Sequence, residues 1–251
     1  MTVVAEALGV EAEPSLLGTV PPPASPSALR WSRFVPATAA EGPGLRAAVW
    51  VQGCSVRCPG CFNPQLWASR GARLNDPAEI AAAWVAQAQA AGAEGVTLLG
   101  GEPFDQAEPL AVVAEAFRAA GMPVMTFTGY RLASLREWAP SRPDLARLLA
   151  ATDLLCDGPY LADLPDTRRP WIGSRNQSIR ALTSAYADAV REIAADGGAD
   201  ALEVRISRDG TVAVNGWATD AALAALLDDL GARADSPASV AARPLALEDP
   251  R

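Results

Sequence analysis

Three cysteines, Cys54, Cys58 and Cys61, stand in CxxxCxxC spacing within Val51-Gln-Gly-Cys-Ser-Val-Arg-Cys-Pro-Gly-Cys-Phe-Asn63, and only one of the chain's 4 cysteines lies elsewhere. Three closely spaced thiolates can hold three irons of a cubic [4Fe–4S] cluster and leave the fourth iron without a protein ligand. Such an iron can chelate a small molecule through an amine and a carboxylate and pass it one electron. A structural zinc site takes four Cys or His ligands, but the chain has no histidine and its remaining cysteine, Cys156, is distant in sequence. A disulfide framework suits short secreted domains and not 251 residues with one distant leftover cysteine.

Composition narrows the chemistry further. Neither histidine nor lysine occurs anywhere. That removes His-based acid/base catalysis, Ser-His-Asp and Cys-His nucleophiles, Schiff-base lysines and the phosphate-loop lysine. A formal charge of −8 argues against a nucleic-acid surface and against an anionic membrane partner. No run approaches the roughly 20 apolar residues of a membrane span, and no basic start with an apolar centre marks a secretory signal. A cytoplasmic, reducing location is expected, where free thiolates persist.

The elements that must position the cysteines follow a regular alternation. Residues 1–29 are rich in Ala, Pro, Ser and Glu and are expected to form a flexible extension. The apolar run Leu45 to Gln52 reads as a buried strand leading into the cysteine loop. A helix follows, with Asp76 as N-cap, Pro77 and Glu79 in its first turn and Gly92 as its stop. Strands at Val96–Leu99, Val124–Phe127 and Leu154–Cys156 alternate with helices at Pro109–Ala120, Arg131–Trp138 and Leu145–Ala150. This order predicts an α/β fold with a parallel sheet, and its chemistry belongs at the carboxyl ends of the strands. Gly100-Gly-Glu-Pro103, Thr128-Gly-Tyr130 and Asp157-Gly-Pro159 all fall there. A helix from Ser184 to Ala194, a hairpin of Leu202–Ser207 and Thr211–Asn215 across an Asp-Gly turn, and a helix near Asp220–Leu230 complete the reading. The expected organisation is a core over 30–217 and, over 218–251, a helix with a loose tail.

Six segments in this order resemble radical S-adenosylmethionine enzymes, and within them the activating proteins of anaerobic ribonucleotide reductase. They are Glu41-Gly-Pro-Gly44, Val51-Gln-Gly-Cys54, Cys58-Pro-Gly-Cys-Phe-Asn63, Leu98-Leu-Gly-Gly-Glu-Pro103, Asp157-Gly-Pro-Tyr160 and Gly173-Ser-Arg-Asn-Gln177. The resemblance covers roughly Arg30 to Trp217. It implies a partial parallel (β/α) barrel, a single [4Fe–4S] cluster on Cys54, Cys58 and Cys61, and reductive cleavage of S-adenosylmethionine to a 5′-deoxyadenosyl radical. It also implies a glycyl-radical enzyme as partner and an electron donor of flavodoxin or ferredoxin type, with no catalytic side chain beyond cluster and cofactor.

The resemblance assigns cofactor contacts as well. Gly100 and Gly101 admit a close backbone approach, Glu102 accepts from the methionyl ammonium, and Pro103 fixes the turn. Gly60 and Phe62 border the adenine. Thr126, Thr128 and Asp157 are candidates for ribose or carboxylate contacts, and Ser174, Asn176 and Gln177 form a loop over the cofactor. Arg168, Arg169, Arg175 and Arg180 crowd the same region as a solvated loop or a docking patch. Cys156 reads as a core residue. The rival readings are radical modification of a small metabolite or peptide, and a non-catalytic electron carrier, which would have no need of the Gly100–Pro103 turn.

Overall fold

The computed structural model describes residues 21–206, 212–216, 224–226 and 228. Its centre is a seven-stranded sheet in the order β3-β1-β2-β4-β5-β6-β7. The strands are β1 (Leu29–Thr38), β2 (Arg46–Val51), β3 (Arg73–Asn75), β4 (Gly95–Gly100), β5 (Val124–Thr128), β6 (Leu154–Asp157) and β7 (Ser178–Ala181). Strands β2, β4, β5 and β6 run parallel, while β1, β3 and β7 add antiparallel edges. All six residues of β2 are buried, as a central strand of a parallel sheet requires. The mixed α/β class read from the sequence is borne out.

The helices are α1 (Pro77–Ala90), α2 (Ala107–Ala119), α3 (Leu132–Trp138), α4 (Pro143–Ala151) and α5 (Ala187–Asp196). The parallel strands follow one another in a single direction across the sheet, and right-handed crossovers then place every connecting helix on the same face. Helices α1 to α4 accordingly bury Val49, Val96, Leu98, Val124 and Leu155 in one core with Leu110, Phe117, Leu135 and Leu148. The opposite face carries Ala48, Trp50, Leu99 and Phe127, and then Met125, Leu154 and Cys156. Cys156 is buried there, at 1% exposure. Val190 of α5 and the segment around Ile172 cover the β5–β6 part of that face, and the part about Trp50, Leu99 and Phe127 is left for a ligand.

Asp76 caps α1 as read, its Oδ1 accepting from the main-chain N–H groups of Ala78 and Glu79. Strand β1 was not legible. A bulge between Trp31 and Arg33 breaks the period of two. Trp31 and Phe34, three residues apart, consequently both pack on Trp84 of α1, Trp31 edge-on at 5.1 Å and Phe34 stacked at 4.9 Å.

Residues 21–28, read as part of a flexible extension, are held against the body. Arg142 donates to Pro22 O (2.7 Å) and Pro23 O (3.1 Å), and the Ser25 hydroxyl donates to Asp144 (2.7 Å). Polar bonds at the start of α4 thus anchor a segment too poor in apolar residues to anchor itself. The expected hairpin is present as β8 (Leu202–Ile206) paired with β9 (Val212–Gly216). Its Asp-Gly turn, residues 1–20, the C-terminal tail and most of the helix expected near Asp220 lie outside the described residues. Among the described residues, no helix is long and apolar enough to cross a membrane.

Arg46 braces the lower end of the sheet at 1% exposure. It donates to Thr97 Oγ1 (2.9 Å), Val96 O (2.6 Å), Pro123 O (2.9 Å) and the Tyr186 hydroxyl (2.6 Å). Burial lowers its pKa, and Tyr186 opposes the shift. Replacing it leaves buried acceptors unpaired, at about 1–3 kcal/mol each. Arg46→Met is expected to lower the unfolding free energy by at least that amount, read as a lower urea midpoint by circular dichroism on matched samples.

Candidate functional site

The cysteine loop leaves β2 through Gly53. Its first residues are fixed by the short turn that follows it: Gly53 N donates to Leu66 O (2.8 Å) and Cys54 N to Trp67 O (3.0 Å). Inside the loop, Cys61 N donates to Cys58 O (3.1 Å). Arg57 and Gly60 take positive φ values of 50° and 78°, so the chain doubles back between the cysteines. All three thiols are free and half-buried. Main-chain N–H groups point at the sulfurs, from Arg57 to Cys54 (3.5 Å) and from Asn63 to Cys61 (3.3 Å), with Tyr160 donating to Cys58.

Burial, then the Glu102 carboxylate, pushes the Cys54 thiol up to about 12, and burial raises Cys58. Burial disfavours the thiolates and a bound cation offsets that cost, so metal binding there would release protons. Among the described residues, no three His, Cys, Asp or Glu side chains gather round one ion position. A cubic cluster does not need that, because each thiolate ligates its own iron. Free thiols, converging N–H donors and a sharply reversed loop fit such a cluster.

The double glycine after β4 meets this loop backbone to backbone. Gly101 N donates to Val51 O (2.8 Å) and Glu102 N to Gly53 O (2.9 Å). A Cβ on Gly101 would stand 2.2 Å from Gly53 O, and one on Gly100, at φ +112°, would stand 2.5 Å from Val51 N. The glycines are therefore required first by the cysteine strand and loop, a reason that the sequence did not disclose.

Glu102 is buried, at 1% exposure. Its carboxylate accepts from Phe104 N (2.9 Å), the Thr128 hydroxyl (2.8 Å) and Gly129 N (2.8 Å). Burial and then the Asp105 carboxylate push its pKa up to about 8 against those donors. In this geometry Glu102 ties the ends of β4 and β5 together and presents no free surface to an ammonium. Asp105, which the sequence reading missed, accepts from Ser55 N (2.7 Å), the Ser55 hydroxyl (2.9 Å) and the Tyr130 hydroxyl (2.9 Å). It fixes the residue next to Cys54. Its place three residues after Glu102, in the same turn, was the available signal.

A cleft of about 420 Å³ opens on the face of the sheet opposite α1 to α4. Cys58, Cys61, Phe62, Gly100, Gly101, Thr128 and Gln177 all line it. Phe62 is half-exposed and packs on Tyr160 with ring centroids 5.3 Å apart; Gly60 lies beneath the same Tyr160 ring. Pro103 is buried at the start of the turn. Gln177 accepts from Gly173 N and Ser174 N (both 3.0 Å), and Ser174 Oγ accepts from Leu161 N. Asn176 donates to Pro159 O (2.7 Å), while its Oδ1 is buried without a partner.

Two candidates do other work. Thr126 bonds Thr152 Oγ1 (2.9 Å) beneath the helix layer, because its position in β5 points away from the cleft. Asp157 accepts from Leu132 N (2.8 Å) at the start of α3 and from Arg180 (2.6 Å). Arg169 is likewise engaged, with Asp166, Gln177 O and Arg175 O. Trp171, which lines the cleft, holds φ +67° while its N–H donates to Asp200 (2.7 Å); a bulky residue in that region is a strained one.

Residues 40–180 match the family described as a 4Fe-4S single cluster domain. The chain belongs to this family. Curated relatives named anaerobic ribonucleoside-triphosphate reductase-activating protein are 29% identical in Salmonella typhi, over 61% of this chain and 99% of the relative. The Vibrio cholerae protein of that name is 29% identical over 62% and 99%, and that of Enterobacteria phage T4 is 27% identical over 60% and 93%. The resemblance read from six segments is borne out, and the matched family carries the expected [4Fe–4S] cluster.

Anaerobic reconstitution is expected to load about four irons on three thiolates. Cys54→Ala, Cys58→Ala and Cys61→Ala each lose the cluster, and Cys156→Ala keeps it, as read by iron and sulfide analysis. Glu102→Ala keeps the irons but leaves buried donors unpaired at about 1–3 kcal/mol each. Its urea midpoint falls while its iron content stays at the wild-type value.

Proposed function

We infer that this protein is a radical S-adenosylmethionine enzyme that activates a glycyl-radical partner, an anaerobic ribonucleoside-triphosphate reductase, by hydrogen abstraction. The observation that carries this reading is the stitching of the cysteine loop to the Gly100–Gly101 turn at the carboxyl ends of β2 and β4, with both facing one cleft. A bare electron carrier would need the turn only to hold the loop and has no use for the cleft of about 420 Å³ that both of them line. The names of the relatives supply the partner.

Cys54, Cys58 and Cys61 would hold the cluster. Backbone atoms of Gly100 and Gly101, the Phe62 ring and the Thr128 and Gln177 side chains are the surfaces offered to S-adenosylmethionine, with Gly60, Pro103, Ser174 and Asn176 shaping the loops behind them. Glu102 and Asp157 act as positioning residues. Bound together, cluster and S-adenosylmethionine supply a one-electron cleavage that delivers a hydrogen-abstracting radical. The chain's own task is to orient and to exclude water, and the absence of His and Lys suits a reaction that needs no acid/base side chain. The sheet is proposed to curve as a partial barrel about the cleft. An electron donor of flavodoxin or ferredoxin type, a cytoplasmic location and the absence of nucleic-acid or membrane partners complete the proposal; the −8 charge favours the last of these.

Reduced, reconstituted protein incubated with S-adenosylmethionine and an anaerobic ribonucleoside-triphosphate reductase is expected to give a glycine-centred paramagnetic signal on the reductase, with stoichiometric 5′-deoxyadenosine. Many turnovers of a small molecule with no protein radical would overturn the reading.

A further inference from the structure

The far wall of the cleft is built by β8–β9, beyond residue 180 where the family match ends. Asn215 in β9 is 3% exposed and lines the cleft. Its Nδ2 faces Glu203 Oε2 at 3.5 Å. Glu203 is held below its usual range, because bonds from Thr38 and Arg205 outweigh the burial that opposes them. An ionised carboxylate only accepts, so it fixes the carboxamide with its nitrogen towards Glu203. Asn215 Oδ1 then has no partner. Buried side-chain acceptors are ordinarily paired, and an unpaired one costs about 1–3 kcal/mol. The position calls for a donor from outside the chain.

The surroundings select that donor. Arg33, stacked over Trp50 at 4.9 Å, and Glu41, which accepts from Gly216 N (3.2 Å), stand in the same wall. The lining also includes Asp200, so the wall carries charges of both signs, and what suits its neutral carboxamide acceptor is a neutral N–H. Trp50, Leu99 and Phe127 give the cleft an apolar floor. The cluster loop and the double glycine, within the family match, line the same cleft as the hairpin, so the hairpin wall borders whatever meets the cofactor.

We propose that the β8–β9 wall is a docking site for polypeptide main chain, in which Asn215 Oδ1 accepts an amide N–H of the segment carrying the reacting glycine. This rests on the activase reading above. A glycine N–H lies one bond from its Cα, so a single bond to it orients the carbon that loses hydrogen. The wall gives the chain a specificity element of its own, outside the cysteine loop and the double-glycine turn.

The test uses full-length, cluster-loaded protein with S-adenosylmethionine. The probes are a blocked glycine-centred peptide copied from the radical segment of an anaerobic ribonucleoside-triphosphate reductase, and its depsipeptide analogue with the glycine N–H replaced by an ester oxygen. Wild type is expected to bind the amide about tenfold more tightly, the effect of about 1.4 kcal/mol. Asn215→Ala loses that preference while keeping its iron, which isolates the pair as a double-mutant cycle. Asn215→Gln, which displaces the acceptor by one methylene, serves if the alanine variant does not fold. Equal binding of the two probes by wild type, no binding of either, or a preference that survives in the variant each overturns the proposal. The radical assay on the reductase reads the activase function separately: a glycine radical formed alongside equal probe binding sinks the Asn215 role alone.

Discussion

The contact on which the site depends is the one between the backbone of Gly101 and that of Gly53. Val51 O and Gly53 O accept from Gly101 N and Glu102 N, so the strand that feeds the cysteine loop is locked to the turn after β4. No side chain fits between them: a Cβ on Gly101 would lie 2.2 Å from Gly53 O. Distances among the three thiols and the rim of the cleft are inherited from this joint. Its hydrogen bonds are main-chain ones, so its demand on side chains is that the two glycines carry none.

Behind the joint lies a buried polar layer. Glu102 gathers donors from β5 and from its own turn, and Asp105 gathers Ser55 and Tyr130. Two carboxyls in a poorly hydrated layer are costly unless satisfied, and here the donors that satisfy them are the loops that must not move. Rigidity at the cysteine loop thus comes from polar groups that the apolar core alone could not place. Tyr130 is held as a donor, its pKa raised by burial first and by Glu102 and Asp105 next.

The opposite face of the sheet follows from handedness. Monotonic strand order and right-handed crossovers send α1 to α4 to one side, leaving Trp50, Leu99 and Phe127 as the floor of a cleft. The loop after β6 and the β8–β9 hairpin wall it in. A sheet covered equally on both faces would have buried this floor under helices.

The sequence by itself determined the cysteine triplet and its place after a buried strand, the four parallel strands, the caps and stops of α1, and the strand-end placement of Gly100–Pro103 and Asp157–Pro159. These depend on local spacing and periodicity, which are written along the chain. The tertiary structure alone decided which way the side chains at those strand ends point. Thr126 and Thr128 are two residues apart in β5, yet the first bonds Thr152 under the helices and the second bonds Glu102 at the cleft rim, because the pairing of β5 with β4 stops at Thr126 and Thr128 is the last residue of the strand. Strand β1 was hidden by its bulge, and Asp105 and Asn215 by having partners 50 and 12 residues away, Ser55 and Glu203. Such contacts are made by chain crossings that no local pattern records, and so the family was legible from spacing while the hairpin wall of the cleft was not.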